Sequence, residues 1–406
     1  MNVGLITIGN ELLSGFTTDT NSAWIGQSVL EVGAEITWHV TIGDQHNHII
    51  AALDQVPEDI KVILVTGGLG PTHDDVTQKT LFEYFDVQPV FDEGYWNILN
   101  VSSMVKRARV MPEINKNQAI RPNKGSVIPN DSGSARGLHL NNERMEVFAM
   151  PGVPREMKDM MSSTIIPWIH DKTKSKIYVK TLRTTGAMES VLAEKLIDVT
   201  EDTRPVTVAF LPQFTGVDIR MTCPNKNPLI EIEEKIRDRV DKYIYATGIV
   251  NLEETVGDML VKCGYTISTA ESCTGGLLGH RFTNVPGSST YYLGGVVSYS
   301  NDMKIKTLGV QENTLQEFGA VSKQTATEMA QGVRDLFGSD LAIAVTGIAG
   351  PGGGTAEKPV GLVYITLVHN DTVWAKEFKF FTDRKLNKQL SSQVALNMVR
   401  IHLLNG

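Results

Sequence analysis

Tyr265-Thr266-Ile267-Ser268-Thr269, then Ala270-Glu271-Ser272-Cys273-Thr274-Gly275-Gly276, then Leu277-Leu278-Gly279 reads as a strand, a tight turn and the start of a helix. A strand that turns directly into a helix is the repeating unit of an α/β sheet. It also leaves several backbone N–H groups unpaired at the helix start. Such groups can hold an anion, or the oxyanion of a carbonyl under attack. Ser272 sits where its hydroxyl could face that pocket, with Thr274, Gly275 and Gly276 beside it, and glycine lets a ligand approach closely. Ser272 or Thr274 could equally be no more than a helix N-cap.

Strand and helix signals alternate on both sides of this turn. Beyond it, strands are expected at 292–299, 341–346, 360–368 and 373–381. A helix over 323–337 would bury Ala326, Met329, Val333, Leu336 and Phe337, and a last one over about 385–403 carries Leu386, Leu390, Val394, Met398 and Ile401. Before the turn, Val256, Met259, Leu260 and Cys263 are spaced for one helical face, and Gly264 closes that helix. Residues 2–8, 35–42, 62–65 and 145–150 read as strands of a first region, with a helix carrying Val76, Thr80, Leu81, Tyr84 and Phe85 inward. Between the two regions, alternating strands near 206–211 and 217–222 lie between helix-like stretches at 187–199 and 228–242. The expected fold class is α/β: two α/β domains, 1–170 with a mostly parallel sheet and 251–406, joined by a small α+β module over 171–250.

A chain of 406 residues has room for two or three cores. Its formal net charge of -8 gives a surface that repels a phosphate backbone, so any nucleotide must be held by local loops and a few basic residues. No apolar run is long enough to span a bilayer. Met1 to Thr7 lacks the basic and cleavable features of a signal peptide. Cysteines at 223, 263 and 273 form no paired motif, so neither a disulfide frame nor a thiolate zinc site is indicated, and a cytoplasmic location is expected.

A nucleophilic serine needs a base, and the nine histidines offer none in a motif context. Lys304, in Ser298-Tyr299-Ser300-Asn301-Asp302-Met303-Lys304, follows the apolar strand and is the better candidate. A lysine acts as a base only if burial or a neighbouring cation lowers its pKa. Tyr299 could orient it or relay the proton. On spacing alone Lys304 reads more readily as a solvated helix lysine. A third element runs from Val345 through Gly347 and Gly350 to Gly354, directly after a buried strand, where α/β proteins place ligands. A flexible surface loop is the alternative.

Near the N-terminus, Gly67-Gly68-Leu69-Gly70 leads through Thr72-His73-Asp74-Asp75 into a helix. Glycines suit phosphate approach, but two adjacent aspartates would repel a phosphate unless a divalent cation sat between them. Ordinary helix capping is the other reading, and His73 reads as a loop residue. Gly9-Asn10-Glu11 and Gly43-Asp44 also follow strands, so Glu11, Asp44, Asp74 and Asp75 are candidate metal ligands at one end of a sheet.

The runs TAESCTGG (269–276), VSYSNDMK (297–304) and VTGIAGPGGGTAEKPVG (345–361) resemble the nicotinamide mononucleotide deamidase domain of the CinA, or competence/damage-inducible, family. TGGLGPTHDDVT (66–77) and MPGVPREM (150–157) resemble the N-terminal domain of the same family, related to the molybdopterin-binding MoaB/MogA fold, and the middle segment resembles its KH-like module. The resemblance implies hydrolysis of the nicotinamide carboxamide to a carboxylate with loss of ammonia, with Ser272 as nucleophile, Lys304 and Tyr299 beside it, and Arg384 meeting the nucleotide phosphate. Cys273, a chemically plausible rival nucleophile, would then be a small buried residue. For the N-terminal domain it implies a pyrophosphatase cleaving ADP-ribose to AMP and ribose 5-phosphate with a divalent metal of Mg or Co type. Gly67, Gly68, Gly70 and Asn10 would line its substrate site, and the deamidase would need no cofactor. Three positions depart from the family pattern: Thr382 precedes Asp383-Arg384 where glycine is usual, Asn10 stands where aspartate is frequent, and Arg136 interrupts a Gly-Thr-Ala-Pro-Gly run.

Partners expected on this basis are small nucleotides and a second copy of the chain, with no membrane. A nucleic-acid-binding competence factor is the rival reading. The acidic balance and the lone glycine in Thr184-Thr185-Gly186-Ala187-Met188-Glu189-Ser190, where a nucleic-acid-binding KH domain has G-x-x-G, argue against it. A third reading makes the N-terminal domain a pterin-binding module without hydrolysis.

Overall fold

Val3, Leu5, Ile6 and Ile8 are almost fully buried, and the strand they form, β1 (Asn2–Ile8), lies inside a six-stranded sheet. The computed structural model describes every residue except 73, 74, 108–110, 175 and 406. It divides into two compact units, Met1–Tyr178 and Val179–Gly406.

In the first unit β2 (Glu35–Ile42), β3 (Val62–Thr66), β4 (Ser126–Ile128), β5 (Gly137–Asn141) and β6 (Glu146–Met150) complete a sheet of order β2-β1-β3-β6-β5-β4. β1 pairs in parallel with β2 and β3, and β3 with β6. β5 and β4 then run antiparallel, so the sheet is mostly parallel as expected, with an antiparallel edge that the pattern did not indicate. Both are short, and Gly137 and His139 interrupt the apolar pattern that would have marked them. Helices cover both faces, among them α1 (Asn10–Leu13), α2 (Thr20–Glu31) and α3 (Thr77–Tyr84). Ile25 and Val29 of α2 and Leu81 of α3 are fully buried, so each face has its own apolar layer.

The second unit opens with a β-α-β-β-α-β module: β7 (Tyr178–Thr184), α4 (Glu189–Thr200), β8 (Thr207–Gln213), β9 (Gly216–Cys223), α5 (Lys226–Val240) and β10 (Ile244–Thr247). Its sheet order is β8-β9-β7-β10. After α6 (Leu252–Cys263) come β11 (Ile267–Glu271), α7 (Leu277–Thr283), β12 (Tyr292–Val297), α8 (Asn301–Leu308), α9 (Lys323–Phe337), β13 (Leu341–Gly347), β14 (Leu362–His369), β15 (Thr372–Lys379) and α10 (Arg384–Asn405). Their sheet has the order β12-β11-β13-β14-β15, parallel across β12, β11 and β13 and antiparallel thereafter.

Two helix faces differ from the pattern reading. On α9 Leu336 is exposed, and Thr325 and Ala330 are buried instead. On α10 the residues with least exposure include Asn387, Ser391, Ser392, Gln393 and Arg400, while Leu386, Leu390 and Ile401 are only half-buried. α10 is enclosed on several sides, so its buried surface is partly polar, and a single apolar stripe does not mark it. No helix among the described residues is long and apolar enough to cross a membrane.

Candidate active site

Three parallel strands, β12, β11 and β13, end at the same edge of their sheet, and each delivers one of the C-terminal motifs there. β11 lies between the other two, so the chain leaves it toward opposite neighbours and opens a crevice at its carboxyl end. The Ser272 N–H donates to Val345 O at 2.9 Å, continuing the β11–β13 ladder one residue into the turn. The Gly275 N–H returns to Ser272 O at 3.1 Å, and Gly275 and Gly276 take φ of 61° and 91°, left-handed conformations that favour glycine. A residue with a Cβ would strain this turn, which gives both glycines a conformational duty.

Lys304, on α8, is 1% exposed. Its Nζ lies 3.2 Å from Ser272 Oγ and 2.8 Å from Ser298 O. Burial pulls its pKa down from the usual lysine value. A neutral amine has two N–H groups and one lone pair. Donating to the Ser298 carbonyl leaves the lone pair to accept the Ser272 proton. The solvated-lysine reading is therefore excluded by burial, and so is a cap role for Ser272: α7 begins at Leu277, with Gly276 in the cap position.

Cys273 is 5% exposed and its thiol pKa is pushed up to about 12 by burial, so at neutral pH it carries no thiolate. Thr274 is fully buried, and its Oγ1 has no hydrogen-bond partner among the described residues. The helix amides expected to receive an anion are occupied. Glu271, 2% exposed, accepts from the N–H groups of Leu278 at 3.1 Å and Gly279 at 2.7 Å. An oxyanion must then be met by the turn itself. Sequence reasoning passed over Glu271, although an acid just ahead of a helix start is the usual signal for such a contact.

Tyr299 is 61% exposed, and its hydroxyl accepts from Arg384 Nη2 at 2.6 Å. Its partner is that guanidinium, where an orienting contact to Lys304 was expected. Arg384 Nη1 also donates to Gly350 O at 2.9 Å, which ties the start of α10 to the glycine loop. Asn387, buried one turn later, holds the same loop through Ala349 O at 2.9 Å. Lys388 was not singled out from sequence, yet its Nζ would be 3.4 Å from a Cβ placed on Gly275, so a second cation borders the serine turn. The glycines of the loop have packing reasons of their own: a Cβ on Gly347 would meet Leu362 O at 2.7 Å, and one on Gly350 would meet Thr382 O at 2.8 Å.

In the N-terminal unit the carboxyl ends of β1, β2, β3 and β6 line a cleft of about 840 Å³. Asn10, Glu11, Asp44, Gly67, Gly68, Gly70 and Asp75 all border it, as does Glu156, which sequence reasoning missed. His73 and Asp74 lie outside the described residues. Asp75 precedes α3 instead of opening it: Thr77 starts the helix, and Asp75 Oδ2 accepts from the Thr72 N–H at 2.9 Å and its hydroxyl at 2.5 Å. Asp44 Oδ2 accepts from the Asn10 N–H at 2.8 Å. Burial raises the Asp44 pKa above the usual carboxylate value, with Glu11 and Asp75 adding to it. Carboxylate oxygens suit a hard divalent cation, but no three metal-ligating side chains among the described residues are grouped closely enough to hold one. Gly67 and Gly68 take φ of 116° and 68°, and a Cβ on Gly67 would sit 2.1 Å from Ile8 O, so its absence lets β1 and β3 close together. Arg136 does not border the cleft. Its Nη1 pairs with Asp92 at 2.7 Å and its guanidinium lies over the Tyr95 ring.

The fold and these two strand-end sites define a class: an α/β chain with a serine turn backed by a buried lysine, a separate acidic cleft, and a small α+β module. Family models match residues 249–403 (CinA C-terminal domain), 4–171 (probable molybdopterin binding domain) and 179–246 (damage-inducible protein CinA KH domain). The chain is 39% identical over 408 residues to a competence-damage inducible protein of Caldicellulosiruptor bescii, covering 99% of each. It is 40% identical over 417 residues to a CinA-like protein of Chloroherpeton thalassium, again covering 99% of each. A Clostridium novyi competence-damage inducible protein is 38% identical over 411 residues, with 100% of this chain and 99% of the other covered. The chain belongs to the CinA family of competence-damage inducible proteins.

Proposed function

We propose that the C-terminal part of the second unit is a serine–lysine amidohydrolase acting on the carboxamide of nicotinamide mononucleotide. The observation that carries this reading is the 3.2 Å contact between Ser272 Oγ and a buried Lys304 amine whose pKa is lowered. Neutral Lys304 takes the Ser272 proton as Oγ attacks the carboxamide carbon, giving a tetrahedral oxyanion within reach of the turn amides. The resulting ammonium of Lys304 passes its proton to the leaving nitrogen, and ammonia departs. Water then attacks the Ser272 ester with Lys304 again as base, releasing the carboxylate and restoring the hydroxyl. Arg384 and Lys388 supply positive charge for the mononucleotide phosphate.

The N-terminal cleft fits hydrolysis of the ADP-ribose diphosphate. Four carboxylates and no basic side chain border it among the described residues, so a bound diphosphate needs a cation. Glu11, Asp44 and Asp75 are not grouped closely enough to hold a divalent ion by themselves, so such an ion would have to arrive with the diphosphate and share its oxygens. Both activities process breakdown products of pyridine dinucleotides.

The test is to assay the purified chain on both substrates, with and without chelator, alongside Ser272→Ala. Ammonia release should vanish in the variant and resist chelator, while ADP-ribose cleavage should survive the substitution and fail with chelator. Full ammonia release by Ser272→Ala would remove the nucleophile assignment.

A further inference from the structure

The side chain of Phe16 is 91% exposed, although the backbone on both sides of it is held. The Thr17 N–H donates to Glu11 O at 3.1 Å, the Gly15 N–H to Leu12 O at 3.2 Å, and Asp19 caps α2 through the Ser22 N–H at 2.9 Å. An aromatic ring is thus presented to solvent from a fixed loop, and it borders the acidic cleft. It is the one aromatic side chain among the described residues that line that cleft; the other apolar contributors are Ile8, Leu69, Ala135, Val153 and prolines.

Electrostatics gives this ring its importance. Glu11, Asp44, Asp75 and Glu156 border the cleft, and no lysine, arginine or histidine does so among the described residues. A diphosphate therefore finds no protein cation among the described residues, and beyond any metal ion it brings, binding energy must come from groups that do not repel it. A nucleobase supplies such a group, since its π-face stacks on an aromatic ring whatever its hydrogen-bonding edge. We propose that Phe16 is the base-stacking residue of this cleft, which selects diphosphates carrying an aromatic base over those that carry only sugars. The proposal rests on the reading of the N-terminal cleft as a nucleotide-diphosphate site. It adds the substrate feature that the carboxylates cannot recognise.

The experiment uses the full chain with magnesium ion and measures dissociation constants by calorimetry, together with turnover. Ligands are ADP-ribose and a diphosphate bearing ribose at both ends, tested on wild type, Phe16→Ala and Phe16→Trp. Phe16→Ala should weaken ADP-ribose binding by roughly 5- to 150-fold, shrink the preference over the base-free ligand by the same factor, and be rescued by Phe16→Trp. Phe16 touches no core, so misfolding does not confuse the result. An unchanged preference in Phe16→Ala overturns the proposal. So does equal weakening for both ligands, or a change only in oligomeric mass, which would make Phe16 a contact between copies. Tight ADP-ribose binding without cleavage would instead overturn the hydrolase reading while the stacking role stands. No binding by wild type would overturn both.

Discussion

Replacing Lys304 by Met keeps the length and shape of the side chain while removing the amine, and the structure sets both what is lost and what is relieved. The contacts at 2.8 Å to Ser298 O and 3.2 Å to Ser272 Oγ disappear. Each is a hydrogen bond of about 1 kcal/mol net. Relieved is the burden of holding an amine at 1% exposure, the same burden that lowers its pKa. The pH dependence follows from that direction. Between the lowered folded value and 10.5 the unfolded chain binds a proton that the folded chain does not, so this group makes stability rise with pH across the window. Below the folded value its penalty is constant, and above 10.5 it vanishes. Melting curves of Lys304→Met and wild type between pH 6 and 11 should therefore diverge in the mutant's favour as pH falls through the window. Ammonia release from nicotinamide mononucleotide should drop by about 10²–10⁴-fold or more, the usual worth of a positioned general base. Wild-type activity should climb with pH along a lysine-like titration below the ordinary lysine range. A Lys304→Met protein with activity within tenfold of wild type, or a melting difference that ignores pH, would refute the reasoning.

Cys273→Ser should keep deamidase activity within a few-fold, because a thiol with a pKa near 12 contributes no nucleophile; loss comparable to Ser272→Ala would move the chemistry to sulfur. Glu271→Gln leaves one acceptor oxygen where two amides now find two, at a cost of about 1–3 kcal/mol in stability; kcat should fall with it, read by denaturant melts and steady-state assays, and unchanged values would detach the turn's geometry from that carboxylate. Arg384→Ala should raise KM for nicotinamide mononucleotide by roughly tenfold or more through loss of a charge-assisted contact, and far less for free nicotinamide; equal effects on both would mean it acts only by tethering Tyr299 and the glycine loop.

Much of this architecture was legible along the chain, because apolar periodicity reflects local backbone geometry. β1 at Asn2–Ile8, β2 at Glu35–Ile42 and α9 at Lys323–Phe337 fall where the residue pattern places them. Ser272, Lys304 and the glycine runs could be named because they follow strands, and strand ends in an open α/β sheet face one crevice. The short strands β4 and β5, the polar buried face of α10 and the exposure of Leu336 were not legible, since each depends on what packs against it from elsewhere.

Sequence alone determined the order of the elements, the chemical types at each strand end and the family pattern that joins them. Only the tertiary structure decided which of those groups meet. It set Lys304 against Ser272 in a buried pocket, turned Tyr299 to Arg384, gave the α7 amides to Glu271, turned Arg136 to Asp92, and left Phe16 on the rim of an acidic cleft. Burial and a lowered pKa come from atoms brought together from distant parts of the chain, and no local residue pattern encodes them.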